Sequence, residues 1–189
     1  MYWFKLKIQY KAALFGGVML LSGLPSCRPD IKQGGTTLKY FDISGYFKAD
    51  TARLRKLNPT VNKTVTHNNV TENKTVHITN WGQELNLFIQ SDINRPAWKN
   101  SYAVQVMDSL IIYKAKSPDL HTTKIIIKKD GDKVKWILIF NHTKNLLYET
   151  REKLSYFPDS VYLIQKSQQV RLMGRNNYRI EGVLNTPKH

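Results

Sequence analysis

The sequence predicts an α+β fold: two N-terminal helices and a polar hairpin, then a curved antiparallel sheet of six or seven meandering strands. Three observations carry that expectation. Apolar residues recur at three- and four-residue steps in two early segments, and at two-residue steps through most of the second half. The breaks between the later runs are two to five residues long and rich in Asp, Ser, Gly, Asn and Pro. Such short breaks join antiparallel neighbours, because parallel strands need a long crossover. Residues 38–189 are enough for one domain with a proper core, and too few for two.

Each element has its own signal. Over residues 37–57, Ile43, Phe47, Leu54 and Leu57 fall on one helical face with Tyr46 beside them, and Lys48, Arg53, Arg55 and Lys56 fill the others. A basic last turn suits a helix C-terminus, and Asn58-Pro59 stops it. Residues 61–78 alternate around His67-Asn68-Asn69 and read as a polar, exposed hairpin. Asn80 is placed to cap a second helix, with Gln83 three residues on; Trp81, Leu85, Phe88, Ile89 and Ile93 form its apolar face, and Asn94-Arg95-Pro96 ends it. Strands are expected over 102–107, 110–116, 122–129, 133–140, 146–156, 160–173 and 178–184.

Asp130-Gly131 between two strand-like runs is a hairpin signal, since both residue types tolerate positive φ. Taken as the turn, the pair sets Lys128 opposite Lys133, Ile127 opposite Val134 and Ile125 opposite Trp136. Trp136, Leu138 and Phe140 then face the core. Lys124, Lys128, Lys133 and Lys135 share the other face as a basic finger that contacts membrane phosphates or an acidic partner. The alternative is a solvated, lysine-decorated hairpin that avoids edge pairing.

Trp136, Phe140, Tyr148, Tyr156, Tyr162 and Tyr178 fall near the apolar faces of the later strands. They either line a site for a lipid or other apolar ligand, as in half-barrel periplasmic carriers, or pack on the helices as core. Catalysis is not expected. His67, His77, His121, His142 and His189 stand singly, and there is no nucleophile motif, metal-ligand spacing or cofactor loop. The expected assignment is no catalytic residue, no metal and no cofactor.

The N-terminus carries an address. Lys5, Lys7 and Lys11 precede an apolar run of 13 residues, Ala12–Leu24, which is shorter than the roughly 20 that span a bilayer. Leu24-Pro25-Ser26-Cys27 follows, with the chain's only cysteine. The segment resembles lipoprotein signal peptides, and more closely the looser Bacteroidota type. That resemblance implies residues 1–26 as signal peptide, acylation of Cys27 and a flexible tether over 27–37. An ordinary signal peptide would instead leave an unpaired thiol outside the cytoplasm. Arg28 in place of Asp, and Asp30 as the lone acid nearby, imply by the same resemblance the periplasmic face of the outer membrane.

Tyr40-Phe41-Asp42, Ala52-Arg53-Leu54, Lys56-Leu57-Asn58-Pro59 and Asp92–Lys99 are similar to segments of small envelope lipoproteins of Bacteroidota. Asp50-Thr51-Ala52, Asp108-Ser109-Leu110 and Asp159-Ser160-Val161 resemble the O-glycosylation acceptors of exported proteins from that group. Beyond residue 26, 26 Lys and Arg stand against 14 Asp and Glu, a net +12 spread evenly along the chain. A polycation in the envelope does not meet nucleic acid, so the expected partners are the membrane, anionic lipid or an acidic envelope protein. Two functions fit: a non-catalytic tethered binding module, or a carrier or sensor of an apolar ligand between sheet and helices.

Overall fold

The chain begins its described part, residues 38–185 of the computed structural model, with Tyr40 packed edge-on against Tyr102 and Tyr113 at centroid distances of 5.7 and 5.5 Å. The expected signal segment, Cys27 and the expected tether lie outside the described residues. Helix α1 (Ile43–Leu57) opens on Asp42, whose carboxylate accepts from Gly45 N–H at 2.7 Å. It closes on Asn58 in the left-handed region, which Asn tolerates. Ile43, Phe47 and Leu54 are buried as expected, whereas Leu57 is exposed.

Strands β1 (Thr60–His67) and β2 (Val70–His77) form the predicted hairpin. Asn80 caps the next segment through Gln83 N–H at 3.0 Å, but the single helix expected there breaks at Leu85 into α2 (Trp81–Glu84) and α3 (Asn86–Gln90). A 3-10 turn (Pro96–Trp98) follows. Seven strands then meander: β3 (Tyr102–Met107), β4 (Leu110–Ala115), β5 (Thr122–Asp130), β6 (Lys133–Lys144), β7 (Tyr148–Phe157), β8 (Val161–Val170) and β9 (Gly174–Asn185).

The strand order is β2-β1-β9-β8-β7-β6-β5-β4-β3, antiparallel throughout. The sheet is open, and among the described residues it has nine strands rather than six or seven. The β1–β2 hairpin is no separate appendage, because β1 pairs with β9 over its full length, from Thr60↔Asn185 to His67↔Tyr178. The fold is therefore mostly β. Segment 78–101, with α2 and α3, links one sheet edge to the other across the face that α1 also covers. Among the described residues no helix is long and apolar enough to cross a membrane.

That covered face is the core. Phe47 meets Phe88 at 4.9 Å and Tyr156 at 5.0 Å, and Trp81 meets Tyr162 at 6.2 Å. Two carboxylates, Asp50 buried and Glu84 partly buried, pin the helices to the sheet. Asp50 accepts from the Tyr156 hydroxyl and pairs with Arg53, which also reaches Asp159 in the β7–β8 turn. Glu84 accepts from the Tyr162 hydroxyl at 2.7 Å and pairs with Lys63 of β1 at 2.7 Å. Burial, with the adjoining carboxylate, raises both phenols far above their ordinary range, so both act as donors.

The β5–β6 register corrects the sequence expectation. Asp130 pairs with Lys133 around Gly131-Asp132, Lys129 with Val134, and then Lys128 with Trp136 and Ile127 with Ile137. One extra residue on β6 makes a bulge, and a bulge reverses which side chains face inward. Ile137 and Ile139 are fully buried opposite Ile127 and Ile125, while Trp136, Leu138 and Phe140 turn to the outer face, half-buried. Lys128 does not oppose Lys133.

Candidate functional site

Four consecutive strands, β6 to β9, run 10 to 12 residues each, and β1 continues the row. Where one set of alternate side chains fills the core, the other set stands on the outer face. Across these five strands that outer set encloses a groove of about 740 Å³. Phe140 and His142 come from β6, Arg151 and Lys153 from β7, Gln165 and Ser167 from β8, Asn177 and Arg179 from β9, and Thr66 from β1 with Asn68 beyond it. The register sets them in rows: Phe140 beside Lys153, Lys153 beside Gln165, Gln165 beside Arg179, Arg179 beside Thr66.

The groove is polar and cationic with one apolar wall. Arg151 pairs with Glu149 at 2.7 Å and Arg179 with Glu181 at 2.8 Å. Lys153 has no ion pair among the described residues. Lys124 lies 4.7 Å over the Phe140 ring, a cation–π contact at the apolar wall. His142 and Arg151 both hydrogen-bond Glu149, and these bonds, that of His142 first, hold its carboxyl below the ordinary range. The arrangement can offer amide and hydroxyl bonds plus positive charge to an extended polar ligand. It holds no nucleophile paired with a base, and among the described residues no three metal-ligating side chains converge.

The residues singled out from sequence divide between the two faces. Tyr156 and Tyr162 are fully buried in the core, while Trp136 and Phe140 are on the outer face. Tyr148 stands at the exposed end of β7, and Tyr178 stacks on His67 at 4.4 Å. The six rings therefore share no common cavity; Phe140 and Tyr178 line the groove and the other four do not. The four lysines are also spread out. Lys124 sits near the start of β5, Lys128 donates to the Ser109 hydroxyl, Lys135 pairs with Asp130 at 3.1 Å, and Lys133 closes the turn.

Of the three acceptor-like triplets, Thr51 is buried in α1 with its hydroxyl donating to Lys48 C=O. Ser109 and Ser160 lie in turns after Asp108 and Asp159, both at positive φ. The groove residues Arg151, Lys153, Gln165 and Arg179 were not picked out from sequence. Their signal is the polar half of each alternation, which by itself does not distinguish a groove from solvent-facing surface.

Beside the groove, His121 bonds Thr143 at 2.9 Å, and burial lowers its pKa below the ordinary 6.5. The native state then binds that proton less readily than the unfolded chain. Its contribution is complete above about pH 6.5 and is lost as pH falls through the lowered value. Urea midpoints should drop less between about pH 7.5 and about pH 5 in His121→Asn than in the parent. Equal drops would mean that His121 titrates alike in both states.

Compared with protein-family models, curated proteins and solved structures, the chain matches none.

Proposed function

We propose that the chain is a membrane-tethered, non-catalytic envelope lipoprotein that works as a binding module. Acylated Cys27 holds it at the periplasmic face of the outer membrane, and the outer-face groove receives an acidic envelope partner. One observation carries this reading: five adjacent strands present amides, hydroxyls and cations into one open groove. Its support against the carrier reading is that Phe47, Phe88, Tyr156, Trp81 and Tyr162 pack on one another. The space an apolar ligand would need between sheet and helices is occupied by side chains.

Two measurements test the two halves of the proposal. Cys27→Ala is expected to leave the membrane fraction or to stall as a precursor, because a single acylation site is then lost. Retention through a high-salt wash would refute the anchor. Native mass spectrometry of protein purified from its own membrane should show an acidic protein that Lys153→Glu no longer carries. A lipid bound equally by both forms would favour the carrier.

A further inference from the structure

The two ends of the sheet differ in chemistry. At one end lie the β3–β4, β5–β6 and β7–β8 turns, which mix Asp108, Asp130, Asp132 and Asp159 with Lys129 and Lys133 and carry no large apolar tip. At the other, the β6–β7 and β8–β9 turns carry Leu146, Leu147, Leu172 and Met173. These are the four most exposed large apolar side chains among the described residues, at 85, 71, 95 and 80%. The two turns are neighbours, since Arg171 N–H donates to Leu147 C=O at 3.0 Å.

Both turns hold their apolar residues outward. The Asn145 side chain accepts from Leu147 N–H and Tyr148 N–H, each at 2.9 Å, which fixes the leucine turn. In the other, Gly174 at φ +84° closes a three-residue loop after Val170, a position that an L-residue with a side chain adopts only under strain. Lys144, Arg171 and Arg175 flank the pair, all exposed. Asp119 and Glu149 lie beside these turns, with Asp42 and Asp92 farther off near Tyr40, and Glu149 is engaged by His142 and Arg151.

We infer that these paired tips dip into the anionic lipid surface to which the chain is tethered. Apolar tips ringed by cations suit a headgroup boundary, where the leucines leave water and the cations meet phosphate. The path of the chain agrees. Tyr40 packs against Tyr102, the first residue of β3, and β3 begins at the same end of the sheet as the tips. The 12 residues between Cys27 and Tyr40 reach at most about 45 Å, so an anchor at Cys27 bounds how far this end can stand from the bilayer. The inference rests on the tethered reading for that proximity.

The test uses the full chain with Leu172→Cys, labelled with an environment-sensitive dye after Cys27 has been acylated. It is reconstituted in vesicles of phosphatidylethanolamine and phosphatidylglycerol. Val106→Cys, 68% exposed on β3 toward the opposite end, is the reference. The dye at 172 should shift to the blue and be quenched by brominated acyl chains, with the dye at 106 remaining aqueous. An aqueous dye at 172 on a chain that stays with the vesicles overturns the tips and leaves the anchor standing. A blue shift without vesicles that grows with protein concentration also overturns them, because the occupant is then another protein surface. A chain lost on a salt wash, but quenched at 172 whenever bound, supports the tips and removes the anchor.

Discussion

Phe47→Ala is expected to cost about 3–5 kcal/mol, the range for emptying a fully buried aromatic site. Phe47 is fully buried, and its ring lies against both Phe88 and Tyr156, so the void would open where α1, α3 and β7 meet. The neighbours cannot collapse freely, because Tyr156 is held through its hydroxyl by Asp50. Trp136→Ala is the comparison. Its ring is partly exposed on the outer face, so the loss should be smaller, about 2 kcal/mol. Denaturant midpoints at constant slope would measure both. A larger loss for Trp136 than for Phe47 would reject the bulged β5–β6 register.

The second large effect is at Gly182. Tyr162 on β8 pairs with Gly182 on β9, and its ring, through Cε1, Cζ and the hydroxyl, occupies the place where a Cβ would stand. The ring has no room to swing, being fully buried, 6.2 Å from Trp81 and hydrogen-bonded to Glu84. Gly182→Ala should therefore cost about 3 kcal/mol, the upper part of the overpacking range. The cost should belong to the pair. In Gly182→Ala with Tyr162→Leu, the combined loss should fall well short of the sum of the single losses. Simple additivity would mean that the glycine serves some other purpose.

What was legible in the sequence followed from local periodicity. Ile43, Phe47 and Leu54 marked the buried stripe of α1, the Asn80 cap fixed the start of α2, and the bounds of β3 were read as they stand. Two features were out of reach of that reasoning. The pairing of β1 with β9 joins residues more than a hundred positions apart, and no alternation in either strand names its partner. The bulge after Val134 is a single-residue event just before a run, Trp136–Phe140, that is apolar on both of its faces. Either parity would have buried a good stripe. The groove was hidden for a related reason: Arg151, Gln165 and Arg179 gather only once the strand order sets their strands side by side.

The length of β6 sets a height. It starts at the lysine-bearing turn and ends at the apolar tip, 12 residues or about 40 Å along the strand. That is several times the Debye length of about 8 Å at physiological salt. With the tips in the headgroups, the charge of the lipid surface does not reach the ammonium groups of Lys128, Lys133 and Lys135. The sheet then acts as a standoff. The far turn samples the solvent beyond the headgroup layer, where only a molecule that itself projects from another surface can meet it.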